Sequence, residues 1–134
     1  MIVKAGLLLF RDSADGKELL FVRQPDKPFF VFPGGKQDPG ETIEQALERE
    51  LTEELGVGLA NIKKIGVVAG QTPDGRDMEM HLYEGVLVGE PVPQAGDIAE
   101  LAWFGQAGIT EHQDRMTPMT LEHVLPFIKQ VGLW

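Results

Sequence analysis

The chain has 134 residues, of which 43% are hydrophobic and 25% are charged, and this composition excludes an intrinsically disordered protein. A formal net charge of -9 argues against a nucleic acid partner, because binding to a phosphate backbone depends on a surplus of Lys and Arg. The absence of cysteine excludes disulfides, thiolate metal sites and a thiol nucleophile. The length fits one domain over residues 1–134, and a reducing cytoplasm is the expected location.

The first part of the chain is predicted to form strands. Apolar runs at residues 2–10 and 19–23 flank a polar loop with an Asp-Gly turn signal, which predicts a β-hairpin. The first run is too short to span a membrane and is interrupted by Lys4, so no membrane partner is expected. Residues 29–32 predict a short strand that leads into a glycine-rich turn.

A helix is predicted at residues 42–55, directly after this turn. Thr42 and Gln45 have the spacing of a capping box, and Gly56 is the residue type that most often ends a helix. One face of the helix carries an apolar stripe that consists of Leu47, Leu51 and Leu55.

Three glutamates, Glu50, Glu53 and Glu54, share one side of this helix. Like charges at i, i+3 and i+4 repel by a few tenths of a kcal/mol per pair. A divalent cation would compensate, since Mg²⁺ prefers oxygen ligands and is often held by one or two carboxylates. The alternative is a solvated acidic patch on an ordinary helix.

The rest of the chain predicts more strands and a second helix. Apolar and polar residues alternate at 78–88, and further strands are predicted at 62–69 and 98–104, whereas residues 105–116 are expected to be irregular. Thr117 and Pro118 predict the start of a helix, which Pro126 should kink or split. The pattern predicts an α+β fold with a mixed sheet between helices.

Residues 35–57 carry a specific motif. Gly35 is followed after five residues by Glu41 and after seven more by Arg49 and Glu50, and the motif ends with Gly56-Val57. Every fixed position of the Nudix box is present, so the chain resembles the Nudix hydrolases. The resemblance implies an α/β/α sandwich and hydrolysis of a phosphoanhydride bond in a nucleoside diphosphate-linked substrate, with Mg²⁺ or Mn²⁺ as cofactor.

The resemblance also implies roles within the box. The metal-binding positions are matched by Gly34, through its carbonyl, and by Glu50, Glu53 and Glu54. Glu53 is the first candidate for the general base. Glu41 and Arg49 match a pair that braces the catalytic carboxylates. A surface salt bridge is the alternative for this pair.

Four residues outside these positions are candidates for contact with the substrate. Gly35 lets the backbone approach a ligand closely, and Arg23 could clamp phosphates with two hydrogen bonds. Asp97 and Glu100 lie where other Nudix enzymes draw an extra carboxylate. For Arg23, Asp97 and Glu100 the alternative is a solvated surface residue.

The length and the Phe-Pro-Gly-Gly turn resemble the MutT-type enzymes, which convert a nucleoside triphosphate to a monophosphate and pyrophosphate. One alternative is an ADP-ribose or nucleotide-sugar pyrophosphatase, because Pro73 lies sixteen residues after Val57, a position at which those Nudix enzymes often have proline. Another is a non-catalytic nucleotide-binding Nudix domain. MutT-type enzymes that act on oxidised guanine nucleotides read the purine with an asparagine near the terminal helix. The only asparagine here is Asn61, which argues against this specificity. A homodimer remains open.

Overall fold

The computed structural model describes all residues, 1–134. Its elements are β1 (Ile2–Leu7), β2 (Phe10–Ser13), β3 (Gly16–Arg23), β4 (Gly34–Lys36), α1 (Ile43–Leu55), β5 (Gly58–Gln71), β6 (Asp77–Val88), β7 (Glu100–Phe104), α2 (Gln106–Glu111) and α3 (Leu125–Gln130). A 3-10 turn at Gln113–Arg115 and a π-helical turn at Thr120–Val124 complete the C-terminal part. None of the helices has the length and hydropathy needed to cross a membrane.

The seven strands form two sheets. The larger sheet has the order β4-β1-β6-β5, with β1 parallel to β6 and the other pairs antiparallel. The smaller sheet is antiparallel and has the order β2-β3-β7. The mixed sheet therefore confirms the predicted α+β class.

Two apolar clusters hold the helices on opposite faces of the larger sheet. On one face, the leucine stripe of α1 is fully buried against Ala5, Leu7 and Tyr83. On the other face, Val124 and Ile128 pack with Met78 and Leu82. Burial of each such side chain stabilises the fold by about 1.5–3 kcal/mol. The arrangement places the sheet between helices, as predicted.

The predicted hairpin between residues 2–10 and 19–23 is wrong in its first strand. β1 ends at Leu7 and belongs to the larger sheet, whereas the hairpin is formed by β2 and β3, with Phe10 opposite Leu19. The predicted strand at 29–32 contributes only isolated bridges, and β4 follows it at the glycines. A central strand that is buried on both faces reads as a continuous apolar run, so periodicity did not reveal where the chain changes sheets.

Two further segments differ from the prediction. β5 is longer than residues 62–69, and its pairing with β6 shifts register twice, between Ala60 and Lys63 and between Lys64 and Gly66. The segment 105–116, predicted to be irregular, contains α2. The C-terminal helix is irregular directly before Pro126: Thr120–Val124 form a π-helical turn, in which the N–H of Leu125 donates to the carbonyl of Thr120, and α3 begins at Leu125.

The predicted helix termini are confirmed. The side chain of Thr42 accepts a hydrogen bond from the N–H of Gln45, and the side chain of Gln45 accepts one from the N–H of Thr42. Gly56 adopts a left-handed conformation with φ 66° at the end of α1. The side chain of Thr117 accepts a hydrogen bond from the N–H of Thr120 at the start of the predicted C-terminal helix. The signals at Thr42, Gln45 and Gly56 determine where α1 begins and ends.

Candidate active site

A cleft of about 670 Å³ lies between the β4–α1 region and the turn that joins β5 to β6. Glu50 and Glu54 from α1 and both glycines of β4 line it. The lining also includes Lys4, Phe29, Met80 and Arg76. Carboxylates, cations and apolar side chains thus share one concave surface.

The carboxyl groups of Glu50 and Glu54 meet in this cleft. Glu54 is only 5% exposed, and its Oε1 accepts a hydrogen bond of 3.1 Å from the N–H of Gly34. Burial raises the pKa of Glu54 from its usual 4.5 to about 8; the Gly34 N–H opposes this rise, whereas the neighbouring Glu50 carboxyl adds to it. A nearby positive charge would therefore favour the ionised form of Glu54.

The glycines of β4 are required for this close approach. Gly34 has φ +135°, and a Cβ there would overlap the carbonyl oxygen of Ala5. A Cβ on Gly35 would lie 2.5 Å from the carboxyl carbon of Glu50. The backbone can pass this close to the carboxylate only without side chains. The carbonyl of Gly34 as a metal ligand stays a prediction.

Arg49 connects the acidic residues of the site. Its Nη2 and Nε bind the two oxygens of Glu41 at 2.7 and 3.0 Å, and its Nη1 lies 3.0 Å from Glu50 and 3.2 Å from Glu53. Nη2 also donates to the carbonyl oxygen of Lys36. The hydrogen bonds from Arg49 hold the pKa of Glu41 below its usual range. The structure brings together the pair predicted to brace the carboxylates.

Glu53 differs from the other two glutamates. Its side chain is half exposed, contacts Arg49 and does not line the cleft. No three Asp, Glu or His side chains converge closely enough to form a ready metal site. Glu50 and Glu54 alone supply hard oxygen atoms at one point, which fits Mg²⁺, since this ion is usually held by one or two carboxylates and completes its shell with water and phosphate.

Comparison with known proteins decides the family. The family model described as the NUDIX domain matches residues 2–122. The chain belongs to the Nudix family.

Two curated Nudix relatives match part of the chain. A putative 8-oxo-dGTP diphosphatase of Bacillus subtilis is 38% identical over 90 residues, which are 66% of this chain and 58% of that protein. The NAD-capped RNA hydrolase NudC of Pseudomonas aeruginosa is 33% identical over 91 residues, 66% of this chain and 32% of that protein. The chain thus spans less than two thirds of the length of these relatives.

Solved structures of Nudix proteins share the fold. A MutT Nudix hydrolase from Burkholderia pseudomallei superimposes with a TM-score of 0.65 and 25% identity, over 84% of this chain and 95% of that one. The predicted Nudix fold is therefore confirmed.

Arg23 and Glu100 of this Nudix domain bind each other and do not line the cleft. Nε of Arg23 lies 2.7 Å from Glu100, which also binds Arg115 at 3.1 Å. Nη1 of Arg23 donates to the carbonyl of Lys27, which lies at the cleft. These contacts of Arg23 hold the loop that carries Lys27 in place. The contact of Arg23 with phosphate stays a prediction.

Asp97 is exposed and does not line the cleft, but its charge acts on Glu54. It contributes to the raised pKa of Glu54, although less than burial and Glu50 do. The loop that carries Asp97 is fixed to α1, because the N–H of Gln94 donates to the carbonyl of Glu54 at 2.9 Å. Asp97 is therefore better placed than Glu100 to act beside the carboxylates.

Phe29, Phe30 and Trp103 lie in different environments. Phe29 lines the cleft and Phe30 is buried in the core. The guanidinium carbon of Arg11 lies 4.4 Å from the centroid of the Trp103 ring. The sequence reading missed Lys4 as a site residue. The signal was present, since a lysine interrupts an otherwise apolar buried strand.

The raised pKa of Glu54 predicts how the stability of the metal-free Nudix domain depends on pH. Unfolded, this carboxyl titrates near 4.5, and folded at about 8, so folding binds a proton between these values. The free energy of unfolding should therefore fall as the pH rises from about 5 to about 8. Thermal denaturation in EDTA should show this decrease in the wild type and a smaller one in Glu54→Gln. An equal dependence of stability on pH in the wild type and in Glu54→Gln would contradict a raised pKa of Glu54.

Proposed function

We propose that the chain catalyses Mg²⁺- or Mn²⁺-dependent hydrolysis of a phosphoanhydride bond in a nucleoside diphosphate-linked substrate. A nucleoside triphosphate that yields a monophosphate and pyrophosphate is the preferred substrate. The observation that carries this proposal is the contact of the Glu50 and Glu54 carboxyl groups in the cleft, beside the N–H of Gly34. Such a pair suits a site that binds a divalent cation between protein and phosphate.

The protein groups have distinct roles in this proposal. Glu50 and Glu54, with the carbonyl of Gly34, would hold the metal, which supplies positive charge to the phosphate oxygens and acidifies a water molecule. Arg49 keeps the carboxylates of Glu50 and Glu53 in position. Glu53 accepts the proton of the attacking water at its carboxylate, and Asp97 is the second candidate for this step.

The choice of substrate draws on the relatives and the cleft. The Bacillus relative is named as a putative 8-oxo-dGTP diphosphatase, which supports a triphosphate. Asn61 does not line the cleft, so the doubt about oxidised guanine stands. Pro73 does line it, which favours ADP-ribose or a nucleotide sugar as the second candidate. We further propose one domain over residues 1–134, a cytoplasmic location, and either a monomer or a homodimer.

A nucleotide panel tests the function. The purified protein is assayed with Mg²⁺ against dNTPs, oxidised dGTP, ADP-ribose and dinucleoside polyphosphates, ranked by kcat/KM. We expect a triphosphate to rank first, EDTA to stop turnover, and Glu53→Gln to abolish it with an unchanged circular dichroism spectrum. Glu48→Gln, an exposed change on the same helix, is the control.

Two results would contradict parts of this proposal. Hydrolysis that is insensitive to EDTA would remove the metal mechanism. Near-normal turnover in Glu53→Gln, together with loss in Asp97→Asn, would move the role of general base to Asp97.

A further inference from the structure

Two lysines face each other across strands at the cleft. Lys4 of β1 lies directly opposite Lys36 of β4 in the antiparallel register, and both line the cleft. Like charges at directly opposed positions destabilise a sheet. Neither lysine takes part in any ion pair of the chain. The fold therefore keeps two positive charges without an ion-pair partner on one surface.

Lys4 is the more buried of the two lysines. It lies in a half-buried position on a strand, beside Met80 of β6 in the sheet. Burial lowers the pKa of Lys4, and the positive charges of Lys36 and Arg76 lower it further, whereas Glu50 and Glu54 oppose the change. A cationic side chain that shares the cleft with Lys36, Arg76 and the Glu50–Glu54 pair is well situated to meet an anion.

Arg76 adds a third cation from the opposite wall of the cleft. It lies on the turn before β6, where its Nε binds Asp74 at 3.0 Å. Neither Nη atom makes a hydrogen bond to the protein. These two donors have the fork geometry that suits phosphate oxygens.

The concentration of cations is notable in an acidic protein. Only 12 of the 134 residues are Lys or Arg, and the net charge is -9. Lys4, Lys27, Lys36 and Arg76 nevertheless line one cleft. Long-range repulsion by the rest of the surface would oppose entry of a highly charged ligand, so local cations are needed to bind one.

We propose that Lys4, together with Lys36 and Arg76, forms a polyphosphate subsite that binds the anionic tail of the substrate. This proposal rests on the proposed function, which places the reacting phosphate at the Glu50–Glu54 pair. The remaining phosphate groups of the substrate then extend toward Lys4. The subsite favours a nucleoside triphosphate over a substrate such as ADP-ribose, whose distal group is a neutral sugar. Lys4 is thus a residue that determines specificity.

The binding test does not require turnover. Isothermal titration calorimetry at low ionic strength in EDTA measures the affinity for inorganic tripolyphosphate. Lys4→Met, which matches the size and apolar character of the neighbouring Met80, should weaken binding by about tenfold or more, as should Arg76→Met. Lys63→Met removes the same charge from an exposed site outside the cleft and should change the affinity less than about twofold.

Folding of the variants is checked by thermal denaturation. Lys4→Met should melt at or above the wild-type temperature, because it removes a buried charge and the repulsion from Lys36. If it unfolds instead, Arg76→Met decides the question, since Arg76 is exposed on a turn. Absence of tripolyphosphate binding to the wild type, or equal loss in the cleft variants and Lys63→Met, overturns the subsite.

A kinetic measurement separates this proposal from the proposed function. In Lys4→Met, the ratio of kcat/KM for the preferred triphosphate to that for ADP-ribose should fall by about tenfold. An unchanged ratio in an active enzyme overturns the role in specificity. If no nucleotide is hydrolysed but tripolyphosphate binding still depends on Lys4 and Arg76, the proposed hydrolase activity fails and the anion subsite stands.

Discussion

Glu54→Gln should lower Mg²⁺-dependent turnover by about a hundredfold or more. The amide removes one of the two carboxylates that meet in the cleft, and loss even of a residue that only supports a metal ligand typically costs about 10–100-fold. The change is nearly isosteric, and the amide oxygen can still accept the hydrogen bond from the N–H of Gly34. The effect therefore reports on charge and coordination instead of packing.

The measurement combines kinetics with metal binding. Turnover and Mg²⁺-induced stabilisation are compared in the wild type, Glu54→Gln and the control Glu48→Gln. We expect Mg²⁺ to raise the melting temperature of the wild type and of the control, but not of Glu54→Gln. In EDTA near pH 8 the variant should be at least as stable as the wild type, because a buried carboxyl with a raised pKa no longer has to ionise. A variant that keeps turnover within a few-fold would contradict the site.

Arg49→Met should lower kcat by about 10–100-fold and also lower the melting temperature. Arg49 contacts Glu41, Glu50 and Glu53 at once, so its removal leaves like charges close together without compensation. Arg49→Lys should restore only part of the activity, because an ammonium cannot bind both oxygens of Glu41 as the guanidinium does.

Arg11→Met is the matched control for this prediction. Arg11 forms a more exposed ion pair with Glu18, and such pairs contribute little to stability. We expect the control to change neither kcat nor melting temperature appreciably. Full activity in Arg49→Met would show that the carboxylates keep their positions without it.

The parts of the site predicted from sequence are those that local rules determine. The capping pair Thr42 and Gln45, the left-handed Gly56 and the leucine stripe of α1 depend on residues a few positions apart. The resemblance to the Nudix box likewise implied a pair of Glu41 and Arg49, and the structure contains this contact. Long-range pairing was harder, because it depends on which distant strand lies beside which.

The features that the sequence did not predict depend on such long-range pairing. The run at residues 2–10 did not show where the chain leaves the larger sheet, since both sheets bury apolar residues. Glu53 pairs with Arg49 and does not line the cleft, and its roles as metal ligand and general base stay predictions. Lys4 interrupts an apolar run in the sequence, but its position opposite Lys36 depends on the pairing of β1 with the distant β4.

The two register shifts in β5 also bear on how the protein avoids aggregation. β5 is the outermost strand of the larger sheet and, with 14 residues, the longest strand in the chain. A long regular edge would offer its unpaired amides to a strand of a neighbouring molecule. The irregular backbone around Lys63 and Lys64, and the charges of these two side chains, interrupt that template. The same interruptions work against amyloid-like stacking along this edge.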